Sequence, residues 1–114
     1  MPHCTIEYAA PLADVLSVEA LVTACHRGLI ESQLFEPSAI KTRALRCDYF
    51  QVGEDESGSF IHLNIAIMPG RTDEQKSLLL ERVYDAIALI TSAVSSVTIE
   101  VVDIQHKHYF KVLN

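Results

Sequence analysis

The stretch MPHCTIEY, residues 1–8, decides how the fold begins. Apolar residues at positions 2, 4, 6 and 8 alternate with more polar residues at positions 3, 5 and 7. Strict alternation of this kind predicts a strand whose successive side chains face opposite ways, with one face buried. The chain is therefore expected to enter a sheet at its second residue.

Pro2 gives this strand a group that can act as a base. An initiator methionine followed by proline is normally removed, and its removal leaves a free secondary amine on Pro2. An α-amine titrates near ~7.7–8.0 in model peptides, and burial or neighbouring cations lower that pKa toward neutrality. The alternative interpretation is that Pro2 only begins an edge strand, where its missing N–H costs nothing.

The composition is that of one small globular domain, and we expect residues 1–114 to form a single unit. Of the 114 residues, 49% are hydrophobic and 21% are charged. The net charge of −6 disfavours nucleic acid and acidic membranes as partners, because both favour clustered lysine and arginine. An anionic small molecule would need a local cluster of cations.

The cysteines favour a reducing compartment. Cys4, Cys25 and Cys47 are odd in number and widely spaced, which suits free thiols better than a disulfide framework or a zinc site. Glu7 interrupts the first apolar run, and no apolar stretch reaches the roughly 20 residues of a membrane helix. We therefore expect a cytoplasmic protein without a leader.

The first half of the chain, about residues 2–52, predicts a β-α-β unit. Ser17 is a good helix N-cap, and apolar residues then recur at helical spacing up to about Gln33. Residues 35–37, Phe-Glu-Pro, are expected to stop the helix, because the residue before proline is driven out of the α region. Residues 39–52 predict a long strand.

The second half, about residues 60–104, predicts the same order of elements. Residues 60–68 alternate strictly and predict a strand. Thr72 and Gln75 have the spacing of a capping box and predict the start of a second helix. Residues 97–104 are rich in β-branched side chains and predict the last strand.

Together the two halves predict an α+β fold, a duplicated β-α-β subunit with two helices on one face of a four-stranded mixed sheet. The helices would bury one face of the sheet. We expect the other face to be apolar and to be covered by oligomerisation.

Three cations fall where an anionic ligand could be held. Lys41 and Arg43 are two apart on one predicted strand, so their side chains leave the same face roughly 6.6 Å apart. Arg71 lies between the Pro69-Gly70 turn and the second helix, at the positive end of the helix dipole. Each also has a structural explanation: Lys41 and Arg43 can pair with the acidic loop 54–56, and Arg71 can cap a carbonyl.

An amine base together with two or three cations indicates a function more specifically than any of these residues does alone. The combination suggests abstraction of an acidic proton from a carbonyl compound that bears carboxylates, with the cations stabilising the dienolate. His106 and His108 alternate on an apparent strand end, but no third ligand accompanies them, so no metal site is expected. Cys4 shares the face of Pro2 without a histidine to activate it.

Short motifs occur in order along nearly the whole chain, and the most distinctive is the N-terminal proline. They are Met1-Pro2-His3, Glu7, Ile40-Lys41-Thr42-Arg43, Phe60-Ile61-His62-Leu63, Gly70-Arg71-Thr72 and Phe110-Lys111. Their order and spacing resemble the tautomerase superfamily, and within it the 5-carboxymethyl-2-hydroxymuconate Δ-isomerase family.

The resemblance implies a homotrimer in which Pro2 is the acid/base that moves a proton between carbons of an unsaturated keto acid. It implies no metal or organic cofactor. By position, Arg71 matches the arginine before the second helix that meets a substrate carboxylate, and Arg43 matches a further arginine of the strand. Where these isomerases have an arginine two residues ahead of Arg43, this chain has Lys41, which keeps the charge but lacks the flat bidentate fork.

The favoured function is therefore an isomerase of a 2-hydroxymuconate-like carboxylic acid, in the catabolism of aromatic compounds. Pro2 would be catalytic, and Lys41, Arg43 and Arg71 would bind substrate. Two alternatives stay open: a tautomerase of a smaller 2-keto acid, and a non-catalytic oligomeric module that binds a small anion. Retention of Met1 would block the amine and favour the module.

Overall fold

A computed structural model describes residues 2–114. Met1, whose removal the sequence predicts, lies outside the described residues. The four strands are β1 (His3–Ala9), β2 (Lys41–Cys47), β3 (Phe60–Ile67) and β4 (Ser96–Asp103), and the two helices are α1 (Val18–Glu31) and α2 (Asp73–Ile87).

The strands form one mixed sheet in the order β2-β1-β3-β4. β1 is parallel to β2 and antiparallel to β3, and β3 is parallel to β4. The chain thus runs β-α-β and then β-α-β again, with the two first strands adjacent at the centre of the sheet. The predicted α+β fold is confirmed.

One face of the sheet and the inner sides of both helices make the core. Thirteen of its side chains are at most 1% exposed: Cys4, Ile6, Ala9, Leu21, Cys25, Leu29, Ile61, Leu63, Ile65, Ile67, Leu79, Val83 and Ile87. Burying a side chain of the size of leucine or isoleucine stabilises a fold by about 1.5–3 kcal/mol. The strict alternation in β1 and β3 directs their apolar residues to this face.

The same alternation makes the other face of the sheet mainly polar, so the expectation of an apolar bare face is wrong. The polar side chains on this open face include His3, Thr5, Glu7, Lys41, Arg43, His62, Asn64, Thr98 and Glu100, and the apolar Leu45 and Val102 are beside them. A strand that sends its apolar residues to one face must send its polar residues to the other.

Both helices begin where the sequence predicts. The Ser17 hydroxyl accepts from the N–H of Ala20 at 3.1 Å. At α2 both bonds of the capping box are present, since the Thr72 hydroxyl accepts from the Gln75 N–H at 3.1 Å and the Gln75 side chain accepts from the Thr72 N–H at 2.8 Å. The second cap fixes the segment that carries Arg71.

Several predicted boundaries shift. α1 ends at Glu31, before the proline, because Ser32 turns its hydroxyl back to the Leu29 carbonyl at 2.7 Å and Gln33 takes a left-handed φ of 59°. β2 ends at Cys47, and a loop with a left-handed Gly53 replaces the rest of the predicted strand. The segment His106–His108 is a 3-10 turn, so the expected strand end there is wrong.

Candidate active site

One end of the sheet gathers three of the four predicted site residues. β1 and β2 begin at this end because they are parallel, and β3 ends there because it is antiparallel to β1. The N–H of Lys41 donates to the carbonyl of Pro2 at 3.1 Å. His3 pairs with Ala66 near the end of β3, and Arg71 follows shortly after that strand. Pro2, Lys41 and Arg71 therefore lie at the same end of the sheet.

The ring of Pro2 is less than 2% exposed. It lies on the side of β1 that carries the buried Cys4 and Ile6, and so it faces the helices. Its nitrogen lies where β1 begins.

Arg71 is held in place at the same end by two contacts. Its Nη2 donates to the Leu34 carbonyl at 2.6 Å, and its guanidinium carbon lies 5.5 Å from the centre of the Phe35 ring. Gly70 precedes it with a left-handed φ of 117°, which favours glycine. Among residues 2–114, the other two guanidinium nitrogens have no hydrogen-bond partner, so they are free to meet a carboxylate.

Lys41 and Arg43 lie on the open face. Opposite them on β1 are His3 and Thr5, respectively, and these residues face away from the side that holds the Pro2 ring. Lys41 directs its ammonium to the Ala39 carbonyl at 3.3 Å. Within the described chain neither cation makes an ion pair with the acidic loop 54–56. Within one protomer, Arg43 and the Pro2 ring leave opposite faces of the sheet.

Arg43 is hydrogen-bonded to His3, to which the sequence pattern assigned no role. Its Nη2 lies 3.0 Å from His3 Nδ1, and its Nη1 donates to the Thr5 hydroxyl at 3.4 Å. The other ring nitrogen of His3, Nε2, lies 3.0 Å from the hydroxyl of Tyr109. Burial, and then the charges of Arg43 and Lys41, lower the pKa of His3 below its ordinary value.

Two open hollows adjoin this end of the sheet. One, of about 310 Å³, lies between Lys41 and the C-terminal residues 109–113. The other, of about 580 Å³, lies between α1 and β2, where His26 Nδ1 is 2.8 Å from the Thr42 hydroxyl. The tail is anchored at Tyr109, but Phe110 is 87% exposed, so a wide surface beside Lys41 stays open.

The remaining candidates carry less chemistry. Cys4 and Cys25 are buried with their sulfurs 3.4 Å apart, and their hydrogen bond together with burial raises the pKa of Cys25, which keeps it a thiol. Within residues 2–114 no three histidine, cysteine or acidic side chains cluster as metal ligands would.

The helices of the described chain are all too short or too polar to span a bilayer.

Solved structures share this fold over nearly the whole chain. A 5-carboxymethyl-2-hydroxymuconate delta-isomerase has a TM-score of 0.83 and 15% identity, over 100% of this chain and 89% of its own. A 5-carboxymethyl-2-hydroxymuconate isomerase from Deinococcus radiodurans R1 has a TM-score of 0.79 and 22% identity, over 99% and 90%. A fused 4-OT, a symmetric trimer, has a TM-score of 0.71 and 19% identity, over 98% and 92%. No curated protein matches the sequence.

Two helices on one face of a four-stranded mixed sheet, with a buried proline at the start of a central strand, define the class: the fold is that of the tautomerase superfamily. The sequence model of one family within it, 5-carboxymethyl-2-hydroxymuconate isomerase, matches residues 2–112. The chain belongs to this family and is an isomerase.

Proposed function

We propose that this isomerase moves a proton along an unsaturated keto acid of the 2-hydroxymuconate type, with the secondary amine of Pro2 as the acid/base. The observation that carries the proposal is the burial of Pro2 at the end of the sheet that it shares with Arg71. A buried amine is biased toward its neutral form, which can accept a proton, and a nearby cation favours an anionic intermediate.

The reaction needs one base and positive charges that stabilise the dienolate intermediate. Neutral Pro2 takes a proton from the carbon next to the carbonyl, and the electron pair of that C–H bond moves into the conjugated system as a dienolate. The prolinium then returns the proton to a carbon further along the chain. Arg71, Arg43 and Lys41 bind the carboxylates and stabilise the negative charge. The step balances without a metal or organic cofactor.

We further propose that the enzyme is a homotrimer and that the site is completed where protomers meet. The Arg43 side chain projects from the open face, opposite the face that holds the Pro2 ring. In a site shared between protomers, Arg43 of one protomer could bind the substrate on which Pro2 of another acts. The similarity to a fused 4-OT that is a symmetric trimer supports this assembly. Because the open face is polar, contacts between protomers on this face would be hydrogen bonds and ion pairs.

A further part of the proposal concerns the domain, the compartment and the partners of the enzyme. We propose one domain over residues 1–114 that acts in the cytoplasm in the catabolism of aromatic compounds, without nucleic-acid or membrane partners. The three free cysteines support a reducing compartment, and the net charge of −6 disfavours polyanionic partners.

Lys41 favours a second candidate within the same chemistry, a tautomerase of a smaller 2-keto acid. Its ammonium is turned to the Ala39 carbonyl, and lysine offers a point charge where arginine would offer two parallel donors. A substrate with fewer carboxylates would need fewer cations.

Initial rates over a matched series of substrates test both candidates. The series contains the dienol forms of unsaturated 2-keto acids with one, two and three carboxylates, and their ketonisation is followed by absorbance. The proposal predicts turnover of at least one member, with kcat/KM rising with carboxylate number for the muconate-type function and falling for the smaller one. No turnover of any member, together with an intact mass that retains Met1, would overturn the proposal in favour of an anion-binding module.

A further inference from the structure

Arg43, His3 and Tyr109 form a hydrogen-bonded chain across the open face. The two links through the His3 ring are both 3.0 Å long, and the rings of His3 and Tyr109 meet edge to face with centroids 6.2 Å apart. The chain joins β2, β1 and the C-terminal tail, which are otherwise distant in sequence.

The chemistry of the three groups fixes where the proton of His3 resides. A guanidinium has only donors, so Nδ1 of His3 must be an unprotonated acceptor toward Arg43. The neutral ring then carries its hydrogen on Nε2 and donates it to the Tyr109 hydroxyl. Arg43 and Tyr109 therefore select one neutral tautomer of His3.

The surroundings of His3 oppose its protonation. From β2 it faces the cations Lys41 and Arg43, from the tail it faces Tyr109, and its partner on β3, Ala66, brings no charge. No carboxylate of the described chain makes an ion pair with it. Burial, the two cations and the charge of the N-terminal amine lower the pKa of His3 accordingly.

We propose that His3 and Tyr109 are positioning residues, which hold the Arg43 guanidinium in the orientation that receives a substrate carboxylate. This inference rests on the proposed role of Arg43 in substrate binding. Thr5 and His3 each engage one terminal nitrogen of the guanidinium, which leaves its other N–H groups for the ligand. Without these two hydrogen bonds the Arg43 side chain would sample several rotamers, and binding of substrate would cost the loss of that conformational entropy.

The network also makes substrate binding depend on pH. Below the pKa of His3 the ring is protonated on both nitrogens, so Nδ1 can no longer accept from Arg43 and a cation faces a cation. Arg43 is then released from its orientation. KM should therefore rise as the pH falls below the ordinary range of histidine, a change separate from the loss of kcat that protonation of Pro2 brings in acid.

Two substitutions of His3 test the proposal against a merely structural role. His3→Ala should raise KM about tenfold near pH 8, the size expected for loss of one charge-assisted hydrogen bond, with kcat changed less than about threefold. His3→Asn places a carbonyl oxygen near the position of Nδ1 and does not titrate. It should keep KM within about threefold of wild type and abolish the rise of KM at acid pH.

Tyr109→Phe and a control at another histidine complete the design. Tyr109→Phe removes only the hydroxyl and should raise KM about threefold. The control is His106→Ala, since the His106 side chain is exposed and makes no hydrogen bond within residues 2–114, so KM and its pH profile should stay unchanged. Nitrogen NMR of the wild-type ring should report hydrogen on Nε2 alone at neutral pH.

The outcomes separate this inference from the proposed function. If Arg43→Ala raises KM but His3→Ala does not, or if the wild-type ring carries its hydrogen on Nδ1, the positioning role is wrong and the isomerase proposal stands. If Arg43→Ala leaves KM unchanged, the role of Arg43 in binding fails, and the positioning role fails with it.

Discussion

The N–H of Lys41 donates to the carbonyl of Pro2 at 3.1 Å. β2, which carries the cations Lys41 and Arg43, therefore begins beside the proline that precedes β1. This hydrogen bond is the first rung of the β1–β2 pairing, and it places His3 opposite Lys41. The position of the candidate base relative to the cations of β2 is therefore set by the backbone of the sheet.

Arg71→Ala should lower kcat/KM by about tenfold to a hundredfold, the range expected when a charge-assisted hydrogen bond is lost. Steady-state rates measure the change, and the matched control is Arg82→Ala in α2, an arginine whose ion pair is with its neighbour Glu81. Arg71→Lys should recover part of the loss but not all, because lysine cannot bind a carboxylate through two parallel donors. Equal rates for Arg71→Ala and Arg82→Ala would count against a role of Arg71 in binding.

Lys41→Arg should improve binding of substrates that carry more than one carboxylate, by about threefold to tenfold in KM. A monocarboxylate keto acid serves as the control substrate, and its KM should not change. The measurement is the ratio of the two KM values in wild type and variant. An unchanged ratio would mean that Lys41 does not meet a carboxylate.

The lowered pKa of His3 predicts a loss of stability in acid. The folded chain binds a proton at His3 less readily than the unfolded chain does, so unfolding takes up protons as the pH falls below the ordinary value of 6.5. This contribution to stability is fully present above that value and is lost as the pH falls toward the folded pKa. Urea midpoints across this range should fall less steeply in His3→Asn than in wild type, and parallel slopes would contradict the prediction.

Gly28→Ala should destabilise the fold by about 1–3 kcal/mol through overpacking. A Cβ at this position would lie 3.0 Å from the Val83 Cα and 3.1 Å from the Arg82 carbonyl oxygen, where α1 crosses α2. The better helix propensity of alanine, worth up to about 1 kcal/mol, offsets only part of that cost. Thr23→Ala, at an exposed position of the same helix, should be neutral or stabilising in urea unfolding. A stabilising Gly28→Ala would show that the helices separate easily.

The parts of the fold that depend on neighbours in sequence could be predicted from the sequence. Alternation placed Cys4 and Ile6 in the core, and the hydroxyls of Ser17 and Thr72 cap helices as their spacing indicates. α1 ends at Glu31, two residues before the expected Gln33, because the left-handed turn at Gln33 stops the helix.

The parts of the site that depend on register could not be predicted. The contact of His3 with Arg43 follows from the pairing of β1 with β2, and Tyr109 reaches His3 from the far end of the chain. No local pattern marks either contact. The register of β1 with β2 also decides that the Arg43 side chain and the Pro2 ring lie on opposite faces, which spacing within one strand cannot reveal.

The most direct test of the account is the turnover of Pro2→Ala beside that of Pro11→Ala, an exposed proline beyond the other end of β1. Size-exclusion mass should match wild type in both variants, and the unfolding midpoint should fall only in Pro2→Ala, which removes part of a buried ring. The account predicts that Pro2→Ala loses about a hundredfold or more of kcat, the typical contribution of a positioned acid/base, whereas Pro11→Ala stays near wild type. A Pro2→Ala enzyme that turns over its keto acid as fast as wild type would contradict the central role of the proline amine.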